Sequence, residues 1–344
     1  MQVASYTIGA RAQHSGIEGR ASAGLGALSG PSDFRRMMAI VTAGTPWPRR
    51  VARLSKTGSE DRIGAYRVVR VLHSGVTSVV MEVVDDSKHR RFAIKQLAAD
   101  RRDDSSERRK FACEAKLGLA LRHPNLIRVH EYVADREGPY FVMEYFAAHN
   151  LKLPLVRPEV YPMPSEHLHG IIRQAASGLA YMHDQGWVHR DVKPENILAN
   201  RAGEVRVIDY TITMRARSGL SRLFGGKVPR QGTGTYMAPE QIRCESPAPT
   251  ADVYSFGVTC YELACGRPPF RADSQQELLS KHVREKPIPL ASRDDRVTPE
   301  FSDAVTRMLC KDPAERFASL HEFILAFRKI RIYRDDPAPN ADNG

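Results

Sequence analysis

The chain has 344 residues, 42% of them hydrophobic and 26% charged, with a formal charge of +11. That balance belongs to a globular protein able to hold one large two-lobed domain, or two ordinary domains, with tails. It excludes a membrane-spanning helix, because no run approaches the ~18 consecutive apolar residues that one needs. The positive charge favours anionic partners. Its Lys and Arg are spread along the chain without a zinc-finger, RNP or basic-zipper pattern, which weighs against nucleic acid. Cys113, Cys244, Cys260, Cys265 and Cys310 are odd in number and lack CxxC spacing. A disulfide framework or zinc site is therefore not expected, and a reducing, cytoplasmic compartment is. Only Cys113, beside Glu114, is placed where modification would matter.

Residues 1–61 are rich in Gly, Ala, Ser and Arg, show no helical or strand period, and read as a disordered basic segment. No apolar core follows Met1, which argues against a secretory signal, and a true start at Met37 or Met38 is a plain alternative. From Tyr66 the pattern changes. Alternating or β-branched runs over 66–72, 78–84 and 92–97 predict three antiparallel strands. Ser105 and Ser106 are candidate N-caps of a helix that carries Glu107 and Glu114 to about Leu121, where His123-Pro124-Asn125 stops it. Runs over 126–133 and 140–146 complete a five-stranded sheet with one helix. Beyond it, Leu168, Ile172, Ala175, Leu179 and Met182 form a helical apolar stripe. Residues 254–263 are apolar nearly all round, which predicts a helix buried at a lobe centre. Phe323, Ile324, Phe327 and Ile330 form a last stripe, and 333–344 read as a disordered tail.

Residues 189–196 read His189-Arg190-Asp191-Val192-Lys193-Pro194-Glu195-Asn196. Asp191 can receive or orient a hydroxyl proton, Lys193 can neutralise phosphate charge, and Asn196 can hold a metal ion. These are the groups needed to move a phosphoryl group between oxygens. The plain alternative is a polar surface loop that matches by accident, and eight residues in order make that a poor one.

At this octapeptide the chain resembles the eukaryotic-like Ser/Thr protein kinases, and the resemblance covers residues 62–332. It implies an α+β, bilobal protein-kinase-like fold: a five-stranded antiparallel sheet plus one helix over 62–146, and a mostly helical lobe over 147–332. It further implies ATP and Mg²⁺ in the cleft, with Mn²⁺ as an alternative metal. Protein Ser or Thr hydroxyls would be the acceptors, including those of a second copy in trans.

Phe92-Ala93-Ile94-Lys95 matches the family's V-A-I-K, with Glu114 following 19 positions later. The resemblance gives Lys95 to the α- and β-phosphates and Glu114 to holding Lys95; the rival reading is an edge-strand gatekeeper. In 72–80, which stands for L-G-x-G-x-x-G-x-V, only Gly75 survives, with His73 and Ser78 in place of the outer glycines. Glycines there let amides approach phosphate, so His73 is expected to stiffen the loop. Val80, Ala93 and Leu198 are implied to line the nucleotide. Met143-Glu144-Tyr145 resembles the hinge, whose backbone would bind adenine, with Met143 guarding the pocket's back.

Asp209-Tyr210-Thr211 stands where the family has D-F-G. Asp209 joins Asn196 as a hard oxygen ligand, and Tyr210 can pack as Phe does if its hydroxyl finds a partner. Thr211 resists the φ values open to Gly, so a flip of this segment is expected to be hindered; the alternative is simple tolerance at negative φ. Residues 232–240, ending Ala238-Pro239-Glu240, match the close of the activation segment. By resemblance Thr233 bridges Asp191 and Lys193, Glu240 pairs with Arg316, and Asp252 tethers the catalytic-loop backbone. Arg215, Arg217, Arg222, Lys227 and Arg230 lie between Asp209 and Glu240 with no acidic residue among them. Phosphorylation of Ser218 or Ser221 is expected to order this basic loop against Arg190; the rival is a permanently ordered loop that selects acidic substrates. His73, Ser78 and Thr211 also motivate a pseudokinase, a nucleotide-binding scaffold without turnover, against which Lys95, Glu114, Asp191, Lys193, Asn196 and Asp209 are all present. A small-molecule phosphotransferase is disfavoured by Thr233, the Ala238-Pro239-Glu240 segment and Arg316.

Overall fold

The structure, a computed structural model, describes residues 62–135, 138–162, 165–216 and 227–337. Residues 1–61, the last of the tail, and both Ser218 and Ser221 lie outside the described residues.

The first lobe is an antiparallel sheet of six strands, β1 (Arg62–Ile63), β2 (Tyr66–Ser74), β3 (Ser78–Asp85), β4 (Arg90–Leu97), β5 (Val129–Val133) and β6 (Tyr140–Glu144). Their spatial order is β1-β2-β3-β4-β6-β5. The expected count of five omits β1, whose two residues pair with Arg67 and Tyr66 and are too few to show an alternation. On one face Met81, Val83, Phe92, Ile94, Tyr140 and Val142 pack together. On the other, Leu97, Val129 and Phe141 pack against Phe111 and Ala115 of helix α1 (Ser105–Ala120). The cap of α1 is Asp104, not Ser105 or Ser106. Its carboxylate accepts from the Ser106 and Glu107 amides at 2.8 and 3.2 Å, and an anion also suits the positive end of the helix dipole. β5 starts three residues later than expected, because Leu126 bridges to Val207 and the Ile127 amide donates to the Val207 carbonyl at 3.0 Å. Those residues join the lobes instead of lengthening the sheet.

The second lobe holds the short strands β7 (His149–Asn150), β8 (Trp187–Val188), β9 (Ile197–Ala199), β10 (Val205–Val207) and β11 (Met214–Arg215). Its helices are α2 (Lys152–Val156), α3 (Leu168–Asp184), α4 (Pro239–Ile242), α5 (Pro249–Cys265), α6 (Gln275–Arg284), α7 (Pro299–Met308) and α8 (Leu320–Phe327). The predicted stripe of α3 is buried at all five positions. Every residue of α5 from Ala251 to Ala264 is buried, as expected of a central helix, and it begins at Pro249, before Asp252. Close packing sets its approach to α7, since a Cβ on Gly257 would lie 2.7 Å from the Met308 Cβ. α8 ends at Phe327, so Ile330 falls outside the last helix. Among the described residues no helix is long and apolar enough to cross a membrane. All five cysteines are free thiols.

Candidate active site

Asp252, in the first turn of α5, is fully buried and accepts from the amides of His189 at 2.7 Å and Arg190 at 2.8 Å. His183 of α3 places Nε2 2.9 Å from the same carboxylate. Burial alone would raise the Asp252 carboxyl; His183, His189 and the Arg190 amide outweigh it and hold the group below its ordinary range. The loop after β8 is thereby pinned to α5, whose residues 251–264 are all buried. Arg190 itself sits at φ 70°, a left-handed conformation that side chains resist. Besides Asp252, Gln241 of α4 holds it there by donating from Nε2 to the Arg190 carbonyl at 3.0 Å.

That backbone delivers Asp191. Its Oδ1 accepts from the Thr233 amide and hydroxyl, both at 3.0 Å. Its Oδ2 lies 2.6 Å from Lys193 Nζ and accepts from Asn196 Nδ2 at 3.1 Å. Lys193 also donates to Thr233 Oγ1 at 2.7 Å, so the threonine hydroxyl bridges the two residues as the resemblance implied. Asn196 Nδ2 donates to the Asp191 carbonyl too, at 2.9 Å, which turns its amide oxygen the other way.

A second cluster spans the lobes. Lys95 of β4 places Nζ 2.6 Å from Glu114 Oε1 and 3.4 Å from Asp209 Oδ1. Burial alone would lower the Lys95 ammonium, but Glu114 and Asp209 outweigh it and keep it charged. The Glu114 carboxyl is pushed up by burial, with Lys95 opposing and Asp209 adding. Asp209 goes the other way: burial would raise it, and Lys95 with the Thr211 hydroxyl hold it well below the carboxylate range. Two carboxylates thus divide one ammonium unequally. Tyr210 is buried, and its hydroxyl does find a partner, the Ile127 carbonyl at 3.4 Å. The positive φ in this segment falls on Asp209 (69°) and not on Thr211, in line with the alternative that threonine sits here at negative φ.

The remaining predicted residues surround these two clusters. Val80 pairs with Lys95 across β3 and β4, and Ala93 with Met143 across β4 and β6. Leu198 lies in β9, opposite Arg206. The Glu144 carboxylate is occupied by the Arg128 amide at 2.9 Å and Arg206 Nε at 3.1 Å, and the Tyr145 hydroxyl accepts from Arg70 at 3.2 Å. The side chains of Glu144 and Tyr145 therefore serve the scaffold, and the Glu144 amide also donates to the Arg128 carbonyl, at 2.9 Å. The β2–β3 turn closes with the Gly75 amide donating to the Ser78 carbonyl at 2.9 Å. A Cβ on Gly75 would meet nothing nearer than 3.4 Å, so this turn does not itself demand glycine. Arg190 donates to the carbonyls of Ile212 and Pro229 at 3.3 and 3.1 Å, and burial lowers its guanidinium.

Sequence reasoning missed His183, Gln241 and the Thr211 hydroxyl as parts of the site. His183 acts on the Asp252 carboxylate and Gln241 on the Arg190 carbonyl, partners brought near only by the fold. It also missed Lys152, whose Nζ lies 2.7 Å from Glu262 and 3.1 Å from the Tyr236 hydroxyl, three residues after Thr233.

Residues 66–325 match the protein kinase domain family. A serine/threonine-protein kinase PknB of Mycobacterium leprae is 33% identical over 276 residues, 79% of this chain and 43% of that protein. PknB of Mycobacterium tuberculosis is 34% identical over 278 residues, with the same two shares, 79% and 43%. Serine/threonine-protein kinase PknA of Mycobacterium tuberculosis is 33% identical over 282 residues, 80% of this chain and 64% of that protein. The chain spans less than half the length of these PknB relatives.

Proposed function

Because this chain belongs to the protein kinase domain family, we propose that it is an ATP-dependent protein kinase that phosphorylates Ser and Thr hydroxyls of proteins. The observation that carries the reading is the Asp191–Lys193–Thr233 constellation, with Thr233 Oγ1 2.7 Å from Lys193 and 3.0 Å from Asp191. Asp191 orients the acceptor hydroxyl and takes its proton as the new O–P bond forms and the bond to the ADP oxygen breaks. Lys193 lies beside the transferring group and spreads its charge. Lys95, kept cationic and fixed by Glu114, engages the α- and β-phosphates. Catalysis is then mainly positioning and charge stabilisation.

The anionic Asp209 and the outward amide oxygen of Asn196 are hard oxygen donors of the kind Mg²⁺ prefers together with phosphates, and Mn²⁺ accepts the same set. A bound divalent ion supplies charge neutralisation on the β- and γ-phosphates. Val80, Ala93, Met143 and Leu198 would flank adenine, with backbone groups of Glu144 and Tyr145 as its hydrogen-bond partners. An odd count of cysteines without CxxC spacing favours a reducing compartment such as the cytoplasm.

Regulation by trans-autophosphorylation at Ser218 or Ser221 belongs to the same proposal. Arg190 has neutral carbonyl acceptors at 3.1 and 3.3 Å, and a phosphate would give this guanidinium an anion. Transfer of labelled γ-phosphate to the protein itself and to a generic basic protein tests the function, with Asp191→Asn as control. Transfer that survives this substitution removes Asp191 from its role, and no transfer at all favours a nucleotide-binding scaffold. Intact mass before and after ATP reports whether phosphate enters 217–226.

A further inference from the structure

Glu114 and Asp209 bring two carboxylates to the single ammonium of Lys95. The group that touches all three is the Thr211 hydroxyl. Its Oγ1 lies 2.5 Å from Asp209 Oδ1, 3.1 Å from Glu114 Oε2 and 3.3 Å from Lys95 Nζ. A hydroxyl has one proton and two acceptor lone pairs. It therefore donates to one carboxylate and accepts from the ammonium, and a small rotation passes the donated bond to the other carboxylate. The Thr211 amide adds a bond to Asp209 Oδ1 at 3.3 Å, which supports the left-handed Asp209. The family's glycine at this position has no side chain, so the contact belongs to this chain's own sequence.

Resting on the kinase reading above, we infer that Thr211 is a positioning residue, a hydroxyl clip that fastens the α1 carboxylate Glu114 to Asp209 around Lys95 before nucleotide arrives. Three elements meet at it: β4 through Lys95, α1 through Glu114, and the connection between β10 and β11 through Asp209. A clip of this kind keeps Lys95 aimed at the cleft without help from a ligand. Ground-state contact with the α- and β-phosphates is its direct beneficiary, so loss of the clip appears chiefly in KM for ATP.

The test compares Thr211→Ser, Thr211→Val and Thr211→Gly with the unaltered chain. Serine keeps the hydroxyl, valine keeps the bulk without it, and glycine restores the family residue. Expected are kcat/KM for ATP within about twofold for serine, and about tenfold to hundredfold lower for valine and glycine, the range for a bond to charged groups. The companion measurement is amide hydrogen exchange across α1 without nucleotide. Exchange around Glu114 accelerates in valine and glycine and stays at the unaltered rate in serine. A valine variant matching serine in both measurements overturns the clip and leaves the kinase reading intact. If the unaltered chain transfers no phosphate while valine still loosens α1, the kinase reading fails and the clip stands. Thermal melts of each variant separate a loosened clip from a failure to fold.

Discussion

Arg316 presents its guanidinium to both oxygens of Glu240, at 2.6 and 3.0 Å, across 76 positions of chain. The arginine side chain is fully buried, and its other donors reach the carbonyls of Thr250, Cys310 and Lys311. Tyr254 places its ring beneath the cation at 4.9 Å. With so many partners the pair fixes the position of α4 more surely than it adds net stability. Removing one member leaves a buried charge alone. Glu240→Ala or Arg316→Met should each cost about 3–5 kcal/mol in urea unfolding of the helical lobe. The double variant should cost less than the sum of the singles, which a double-mutant cycle reads directly.

Asp191→Asn removes the anion and keeps the shape. Phosphoryl transfer should fall by about 10²–10⁴, the usual contribution of a positioned base. ATP affinity, measured by calorimetry, should stay nearly unchanged, because the proposed role of Asp191 is toward the acceptor hydroxyl and not the nucleotide.

Glu114→Gln takes the negative charge from the shorter of the two contacts to Lys95, which lies 2.6 Å from Glu114 and 3.4 Å from Asp209. Lys95 is then expected to shift toward Asp209 and to compete with the divalent ion proposed to bind that carboxylate. A loss of about tenfold to hundredfold in kcat/KM for ATP is expected. The metal concentration needed for half-maximal rate should rise, and a titration with Mg²⁺ at fixed ATP reports it.

His282 is fully buried, its Nδ1 3.0 Å from the Tyr254 hydroxyl. Burial, with Lys311 nearby, pushes the imidazole down to about 4 from 6.5. The folded state therefore resists a proton that the unfolded chain takes readily. Stability contributed by the neutral ring is present above pH ~6.5 and is lost as pH falls from there toward about 4, up to about 3 kcal/mol in full. Between pH 7 and 5 the melting temperature of the unaltered chain should drop more steeply than that of His282→Gln. Parallel slopes for the two proteins would remove His282 from the account.

The chemistry was legible in the sequence because phosphoryl transfer needs particular groups at short, fixed offsets. Asp191, Lys193 and Asn196 announce themselves within six residues, and Lys95 with Glu114 are implied by the resemblance to the family's V-A-I-K and its spacing to a glutamate. Features set by tertiary neighbours were not legible. Nothing local says that Leu126 will bridge to Val207 and leave the sheet, or that two residues at Arg62 will add a strand. Serines at 105 and 106 are sound capping residues, yet the preceding Asp104 brings a charge to the same amides and wins. Thr211 looked like an obstacle to backbone motion, a matter of φ. Its hydroxyl contacts with Lys95, Glu114 and Asp209 depend on three distant segments and could be seen only once these met.

The anchoring of His189 and Arg190 to Asp252 gives the molecule an order of failure. Those two amides are tied to a helix that loses its burial only when the whole lobe unfolds, so they should exchange hydrogen last. Much of the outer strand β2 is exposed, and irregular register joins it to β3, so it should open first. Gentle heating would then silence the enzyme by loosening its cleft while the loop that bears Asp191 stays built. Activity lost in that range should return on cooling, without any refolding of the lobe that holds the loop.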